Sequence, residues 1–473
     1  MKKRIILFGI GKAYENFMER LEINSDVAEI VALADNDVVK QGAMKDGHIV
    51  SSSAEAIKIP YDCILILGRF AGAIAMQLRD MGVKEERIAT ECETERYIQW
   101  FRPKFLQVFC SEKVLADKIS TQKRRPVALF GSLIYAGGPL ALLRMAQILK
   151  KNGYDVVVVV GEDGPARKEY IRSDIPIVFD TNAFRGVFFE SSWLAQCAAI
   201  VLNGVQIAPI INKLPNTVPI IWWLHDPEEY YHSVPVLYEN LSLKNVDVYA
   251  VSELAWRPLE KRFPDLQKQL LLYGIPEMKI KTKGCLGGKL VFAVLGKVQS
   301  IKGQDIFLEA VSLMHEDKRN QCEFWVVGNR ETKFAVDLEK KATKYENFKI
   351  LGEFDRAGMN ELFAKISVVV TPSRADMMPT ANVEAMLHGI PCIISENAGT
   401  ALFITGGEDG LIVKSNDAQD LAEKMEWMVD NRSLLAIMGK KSHAIFERNF
   451  TMKVFERNVL AIMEKNIGKP VCC

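Results

Sequence analysis

The sequence lacks the features that would place a protein in a membrane, outside the cell or on nucleic acid. No stretch approaches the roughly 20 consecutive apolar residues of a membrane-spanning helix. The nine cysteines are scattered, without CxxC or metal-type spacing, which is typical of reduced thiols that fill a core. Formal net charge is only +1, so there is no overall attraction to nucleic acid. The apolar run before Gly9 is too short for a secretory signal, and we therefore expect a cytoplasmic protein.

Two features leave peripheral contact with the inner face of the membrane as an open alternative. The basic segments 118–125 and 279–283 suit anionic lipid, although solvated surface charge explains them more simply. The final pair, Cys472 and Cys473, suits palmitoylation, although a frayed end is the simpler explanation.

Short strands rich in Val, Ile and Leu recur along the chain, each followed by a glycine-bearing turn and an amphipathic helix. Fully apolar strands of this kind belong to parallel sheets that are covered on both faces. The chain has 473 residues, which is too long for one core and suits several domains. We therefore predict an α/β protein with domains at 1–105, 125–280 and 281–450, and a closing helix in 451–473.

The first domain begins like a dinucleotide-binding module. Its first strand runs into Gly9 and Gly11, and its second strand ends at Asp35, where an acid would bind a ribose. Tyr14 occupies the place of the third glycine of that motif, so a tight strand–helix turn without a ligand fits equally well. The domain resembles small Rossmann-like modules that are fused to enzymes of bacterial surface-sugar synthesis.

The most informative segment is residues 371–391, which places Asp376 in a loop after an apolar strand and Glu384 on the next helix. A strand, a loop and a helix start commonly hold an anionic ligand, because free N–H groups and the helix dipole point there. Carboxylates beside such a site are good acceptors for pairs of sugar hydroxyls. The segment therefore favours a nucleotide sugar as ligand.

Other polar residues are predicted at the same kind of edge, since ligands of open α/β sheets bind at the carboxyl ends of the strands. Lys297 and Lys302 follow one strand and suit a diphosphate, whose departure they would stabilise. No cluster has metal-ligand spacing, so we expect no metal. The remaining candidates are Gly137, Gly138, His225, Asp226 and Arg374.

The second and third domains resemble family 4 of the glycosyltransferases, which are retaining enzymes of the GT-B fold. The resemblance rests on the spacing of Asp376 and Glu384, on the segment from Gly296 to Gly303 with its two lysines, and on the Gly137–Gly138 pair. It implies two Rossmann-like domains that face each other across a cleft. It also implies a nucleotide-diphosphate sugar as donor, no cofactor, and a glycan or lipid-linked acceptor in cell-surface polysaccharide synthesis.

The resemblance implies a role for each matching residue. Glu384 would hold the ribose hydroxyls, and Asp376 would contact hydroxyls of the donor sugar. Lys297 and Lys302 would bind the diphosphate, while His225 would approach the sugar near its reacting carbon.

Amides near Thr380 and at Gly138 would assist the diphosphate. Met377 and Pro379 stand where the family commonly has glycine, and proline has no N–H to offer a phosphate. Asp376 stands where glutamate is commoner, so the preferred sugar is in doubt.

Two other classes of function stay open at this point. The first is another enzyme of the same architecture, a nucleotide-sugar epimerase or a phosphorylase. The second is a non-catalytic regulator that binds a sugar nucleotide and uses the first domain as a sensor.

Overall fold

The computed structural model describes residues 2–68, 70–90, 93, 96–103, 107–109, 125–180, 192–232, 241–277 and 288–467. The chain divides into two compact units, the first mainly from the described residues up to Phe109 and the second mainly from those after it. The second unit contains two further sheets, so this division does not separate the second predicted domain from the third. The predicted domain boundaries therefore stay a prediction. The basic segments at 118–124 and 279–283 and the pair Cys472–Cys473 lie outside the described residues.

The first unit is built on a sheet whose central strand, Lys3–Phe8, is fully apolar in its second half and buried there. This strand pairs in parallel with Ala28–Ala34 and Cys63–Ile66. In spatial order the strands are Met44–Lys45, His48–Ser51, Ala28–Ala34, Lys3–Phe8, Cys63–Ile66 and Ile88–Thr90. Further elements are the strands Leu21–Ile23, Phe101–Pro103 and Gln107–Phe109, the helices Lys12–Arg20, Ser53–Ala56 and Ala71–Asp80, and the 3-10 turns Glu85–Arg87 and Ile98–Trp100.

The second sheet carries the acceptor-side residues predicted from the sequence. Val127–Gly131 pairs in parallel with Ala199–Asn203, with Val127 opposite Ala199. In spatial order its strands include Val246–Ala250, Ile220–Leu224, Ala199–Asn203, Val127–Gly131, Val156–Val160 and Ile177–Phe179. Its helices are Gly137–Lys151, Arg167–Arg172, Glu228–His232 and Glu253–Arg262, with 3-10 segments Ser192–Gln196 and Val205–Lys213.

The third sheet is parallel throughout and carries Asp376, Glu384 and the two lysines on its loops and helices. Its spatial order is Phe348–Leu351, Cys322–Val327, Leu290–Leu295, Val368–Thr371, Cys392–Ser395 and Gly410–Val413. Its helices are Gln304–Leu313, Glu316–Arg319, Lys333–Ala342, Arg356–Phe363, Thr380–Leu387, Ala418–Asp430 and Leu435–Asn449, with 3-10 turns Ser300–Lys302, Gly399–Phe403 and Arg432–Leu434.

The last helix, Met452–Ile467, packs on the part of the unit that carries the second sheet. Asn152 donates to Glu456 at 2.8 Å, and Lys465 forms an ion pair with Asp247 at 2.6 Å. The ring of Phe455 lies 5.8 Å from that of buried Trp223. The side chains of this helix therefore hold it against the second sheet's layer.

The four described cysteines, Cys63, Cys197, Cys322 and Cys392, are buried free thiols, as the sequence predicts. No helix within the described ranges combines the length and the apolar character needed to span a bilayer.

Candidate functional site

A cavity of about 440 Å³ lies at the carboxyl edge of the third sheet. Its lining includes five of the side chains that the sequence analysis selected: Lys297, Lys302, Asp376, Thr380 and Glu384. They come from two stretches of chain, 297–302 and 376–384, whose outermost residues are 87 positions apart. The parallel sheet brings these two stretches together, because the strands that precede them, Leu290–Leu295 and Val368–Thr371, are neighbours.

The loop after Leu290–Leu295 presents the two lysines. Its end is fixed by Gly303, which adopts a left-handed φ of 72°. A Cβ at this position would lie 2.1 Å from the carbonyl oxygen of Pro372, so only glycine allows the two loops to approach this closely. The amide of Arg374 donates to the carbonyl of Ile301 at 2.8 Å and joins the same two loops.

Lys302 and Asp376 form an ion pair across the cavity wall. Their side chains are 28% and 12% exposed, so the pair is only partly screened by water. The backbone of Asp376 is held on both sides, since its amide donates to Asn397 at 3.0 Å and its carbonyl accepts from Gly399 at 2.8 Å. Lys302 and Asp376 therefore satisfy each other's charge.

Glu384 lies in the second turn of the helix Thr380–Leu387. A buried hydrogen-bond network fixes this helix: the hydroxyl of Thr371 donates to Asn382, whose amide donates to Thr400 at 2.8 Å. Burial raises the pKa of Glu384, while the charges of Arg356 and Arg144 act in the opposite direction. The carboxylate is thus held at an energetic cost that a ligand with hydroxyl donors would reduce.

Arg374, for which substrate binding stays a prediction, has hydrogen-bond partners within the protein. Its guanidinium forms two hydrogen bonds of 2.9 Å to Asp305 and one to the carbonyl of Ser300. It is absent from the residues that line the cavity. The sequence analysis missed Asp305, because nothing in the local pattern links it to a residue 69 positions away.

The second sheet supplies the other predicted residues, which do not line the cavity described above. Gly137 and Gly138 open the helix Gly137–Lys151, and a Cβ on Gly138 would lie 3.1 Å from the imidazole of His225. His225 stands at the end of the strand Ile220–Leu224, and burial lowers its pKa to about 3. The neighbouring Asp226 accepts from the amide of Val205 at 2.7 Å and stabilises the adjacent loop.

Two residues near this group escaped the sequence analysis. Tyr273 is hydrogen-bonded to His225, and Arg144 donates to the carbonyl of Gly274 at 2.8 Å. The charge of Arg144 also lowers the pKa of Glu384, against the effect of burial. One feature of the sequence could have pointed to Arg144. It lies in the apolar stretch from Leu142 to Met145, where a charged side chain needs a buried partner.

The first unit gives its predicted cofactor residues structural partners. Gly9 has a φ of 95°, and a Cβ there would lie 2.6 Å from the carbonyl oxygen of Leu67. Asp35 accepts from Lys40 at 3.0 Å and from the amide of Asp37 at 2.9 Å. A tight turn is therefore enough to explain the presence of Gly9 and Asp35. Nucleotide binding at Gly9, Gly11 and Asp35 stays a prediction.

The described part of the chain contains no group of three or more His, Cys, Asp or Glu side chains suited to a metal ion. His388 is a packing residue, which stacks on Phe363 with ring centroids 4.4 Å apart. Trp222 and Trp223 belong to the core and are fully buried.

Comparison with known proteins relates three parts of the chain to described families. Residues 289–431 match the family described as glycosyl transferases group 1, and residues 122–252 match glycosyl-transferase family 4. Residues 1–89 match a separate family, described as C2185-like, N-terminal.

Two curated relatives belong to surface-polysaccharide synthesis by their names. The chain is 23% identical over 221 residues to the lipopolysaccharide core biosynthesis mannosyltransferase LpsB of Rhizobium meliloti (strain 1021), covering 42% of this chain and 61% of that protein. It is 21% identical over 169 residues to the capsular polysaccharide biosynthesis glycosyltransferase CapM of Staphylococcus aureus, covering 36% and 44%. The chain thus spans less than two thirds of the length of either relative.

Solved structures share the fold. Anabaena Alr3699/HepE in complex with UDP superposes with a TM-score of 0.60 at 17% identity, covering 72% of this chain and 100% of that one. The lipopolysaccharide outer core galactosyltransferase WaaB superposes with a TM-score of 0.59 at 12% identity, covering 72% and 99%. The fold is therefore the GT-B fold of glycosyltransferases, as predicted. Within that class, residues 122–252 match the model of glycosyl-transferase family 4 and residues 289–431 that of glycosyl transferases group 1, and the chain carries an additional N-terminal α/β domain.

Proposed function

We propose that this protein is a retaining glycosyltransferase that moves a sugar from a nucleotide-diphosphate donor to a glycan or lipid-linked acceptor in cell-surface polysaccharide synthesis. The observation that carries the proposal is the cavity in which Lys297, Lys302, Asp376, Thr380 and Glu384 meet. Two cations and two acids around one cavity match the two halves of a nucleotide sugar, an anionic diphosphate and groups rich in hydroxyls.

The diphosphate would take the end of the cavity beside Lys297 and Lys302. The amide of Thr380, in the first turn of its helix, offers a further donor, whereas Pro379 has none. Glu384 would accept the ribose hydroxyls. Asp376 would accept hydroxyls of the donor sugar once Lys302 has turned to the diphosphate.

Transfer would proceed as the bond between the sugar's anomeric carbon and the diphosphate breaks. The lysines stabilise the departing phosphate, and a hydroxyl of the acceptor attacks from the same face. Its proton passes to the leaving phosphate oxygen, which preserves the anomeric configuration. We propose that the lysines and amides meet the charge of the leaving group without a metal, and that the protein acts in the cytoplasm, with or without peripheral contact at the membrane.

A thermal-shift screen with UDP, GDP, dTDP and CMP, followed by their sugars, tests the donor site. A ligand at 100 times its dissociation constant adds about 2.7 kcal/mol to stability. UDP is the first candidate, because the structural relative Alr3699/HepE was solved with UDP and with UDP-glucose. Proton NMR of the product's anomeric configuration tests retention, and transfer in EDTA tests the need for a metal.

The decisive variant is Lys302→Ala, for which we expect a loss of transfer of at least about a hundredfold, the size found for lost electrostatic groups. Lys349→Ala is the matched control, since Lys349 pairs with Glu323 on the surface of the same sheet. Near-normal transfer by Lys302→Ala would contradict the diphosphate clamp. Consumption of donor without acceptor would favour an epimerase or phosphorylase, and binding without turnover would favour a regulator.

A further inference from the structure

Both ring nitrogens of His225 have protein partners. Nδ1 lies 2.8 Å from the hydroxyl of Tyr273, and Nε2 lies 2.5 Å from Oδ1 of Asn203. The rings of His225 and Tyr273 stack with centroids 5.4 Å apart and an angle of 27° between their planes. The imidazole is therefore fixed in position and in orientation.

The partners also select one tautomer. The amide oxygen of Asn203 can only accept, so Nε2 must carry the hydrogen. Nδ1 is then an acceptor, and the hydroxyl of Tyr273 must donate to it. A neutral imidazole with this tautomer has no free nitrogen to accept a proton from an acceptor hydroxyl.

Several elements fix Tyr273 itself. Arg144 holds the next residue by its hydrogen bond to the carbonyl of Gly274. The tyrosine ring packs beside Gly137, where an added Cβ would lie 3.5 Å from it, an ordinary contact distance. The indole of Trp223 lies 4.5 Å from the imidazole and donates to the carbonyl of Leu271 at 3.0 Å.

The phenol of Tyr273 keeps its proton. Burial raises its pKa well above the usual value, and the carboxylates of Asp376 and Asp226 raise it further. The phenol therefore remains a hydrogen-bond donor to His225.

We propose that Tyr273 and Asn203 are positioning residues for the transfer, which hold His225 as a neutral imidazole protonated on Nε2. This inference rests on the proposed function and on the predicted place of His225 near the donor sugar. Because both ring nitrogens are engaged, it makes His225 a fixed wall of the site and leaves the acceptor's proton to the departing phosphate.

The test combines nitrogen NMR with kinetics on the full chain. Histidine labelled with ¹⁵N gives one set of signals per residue, and His225→Gln identifies those of His225. We expect the wild type to show Nε2 protonated and Nδ1 unprotonated. Asn203→Leu should give a mixture of tautomers, because the hydroxyl of Tyr273 can either donate or accept. Tyr273→Phe should leave Nε2 protonated but let the ring move, with a loss of kcat of about ten- to a hundredfold and a dissociation constant for UDP within about twofold of the wild type. Tyr154→Phe, at a tyrosine away from His225, should change none of these.

A charged imidazole or an Nδ1-protonated form in the wild type would overturn the inference, as would wild-type kcat in Tyr273→Phe. The two failures are distinguishable, because the NMR readout needs no turnover. A fixed Nε2 tautomer without transfer to any acceptor would contradict the proposed function while supporting the assigned tautomer. Transfer with a mobile or charged imidazole would contradict the inference alone.

Discussion

Replacing Asp376 by asparagine should tighten the binding of a nucleoside diphosphate while it slows sugar transfer. In the ligand-free protein Lys302 is paired with Asp376, and a diphosphate has to compete for that lysine. The asparagine side chain is uncharged, so Lys302 becomes available and the cavity loses a negative charge that repels the ligand. The same change removes the carboxylate that we expect to accept sugar hydroxyls.

The size of the effect follows from the burial of the pair. A hydrogen bond to a charged group contributes about 1.5–3 kcal/mol, and exposed ion pairs contribute about 0–1 kcal/mol. With side chains 28% and 12% exposed, the pair lies between these cases, and we take about 1–2 kcal/mol. At 1.4 kcal/mol per decade, the dissociation constant for UDP should fall about five- to thirtyfold, whereas transfer should fall by about ten- to a hundredfold.

Isothermal titration calorimetry with UDP measures the first effect, and initial rates at saturating donor measure the second. Asp430→Asn is the control, because it removes one negative charge from a surface pair with Lys318 in the same domain. Unchanged or weaker UDP binding in Asp376→Asn would refute the idea that the ion pair competes with the ligand.

Three further changes test other parts of the site and the fold. Burial raises the pKa of Glu384, so its ionised form lowers the stability of the fold as the pH rises. Glu384→Gln should therefore raise the melting temperature at pH 7 and lose this advantage near pH 4 or below. The same variant should bind UDP more weakly in calorimetry. Asn382→Leu leaves two buried threonine hydroxyls without their partner, so it should cost about 1–3 kcal/mol in urea unfolding; a smaller loss would mean that the network relaxes. Phe455→Ala should cost about 3–5 kcal/mol by the same assay, whereas Ile437→Ala, at an exposed position, should stay within about 0.5 kcal/mol.

The strands of the third sheet could be predicted well, because each is a short apolar run bounded by glycine or polar residues. Leu290–Leu295, Phe348–Leu351 and Gly410–Val413 are such runs. The start of the helix Gly137–Lys151 is harder to predict, because it begins at the glycine pair itself. Its Gly-Gly-Pro start is typical of a loop, but proline fits the first turn of a helix, where the N–H has no partner to lose.

The site could be predicted in part for a similar reason. Asp376 and Glu384 lie in one segment, and the lysines follow a recognisable strand, so topology alone brings them together. The pairing of Arg374 with Asp305, and of His225 with Tyr273 and Asn203, depends on how distant loops pack. Such contacts have no local pattern in a single sequence.

A backbone hydrogen bond ties Ile275, which follows the second sheet in the chain, to the end of the helix Leu435–Asn449 of the third sheet. The amide of Ile275 donates to the carbonyl of Phe450 at 2.9 Å, and Ile275 forms a bridge with Thr451, just before the final helix returns. The two passages of backbone are thus tied together at this point, and moving one along the other would break the bond between them.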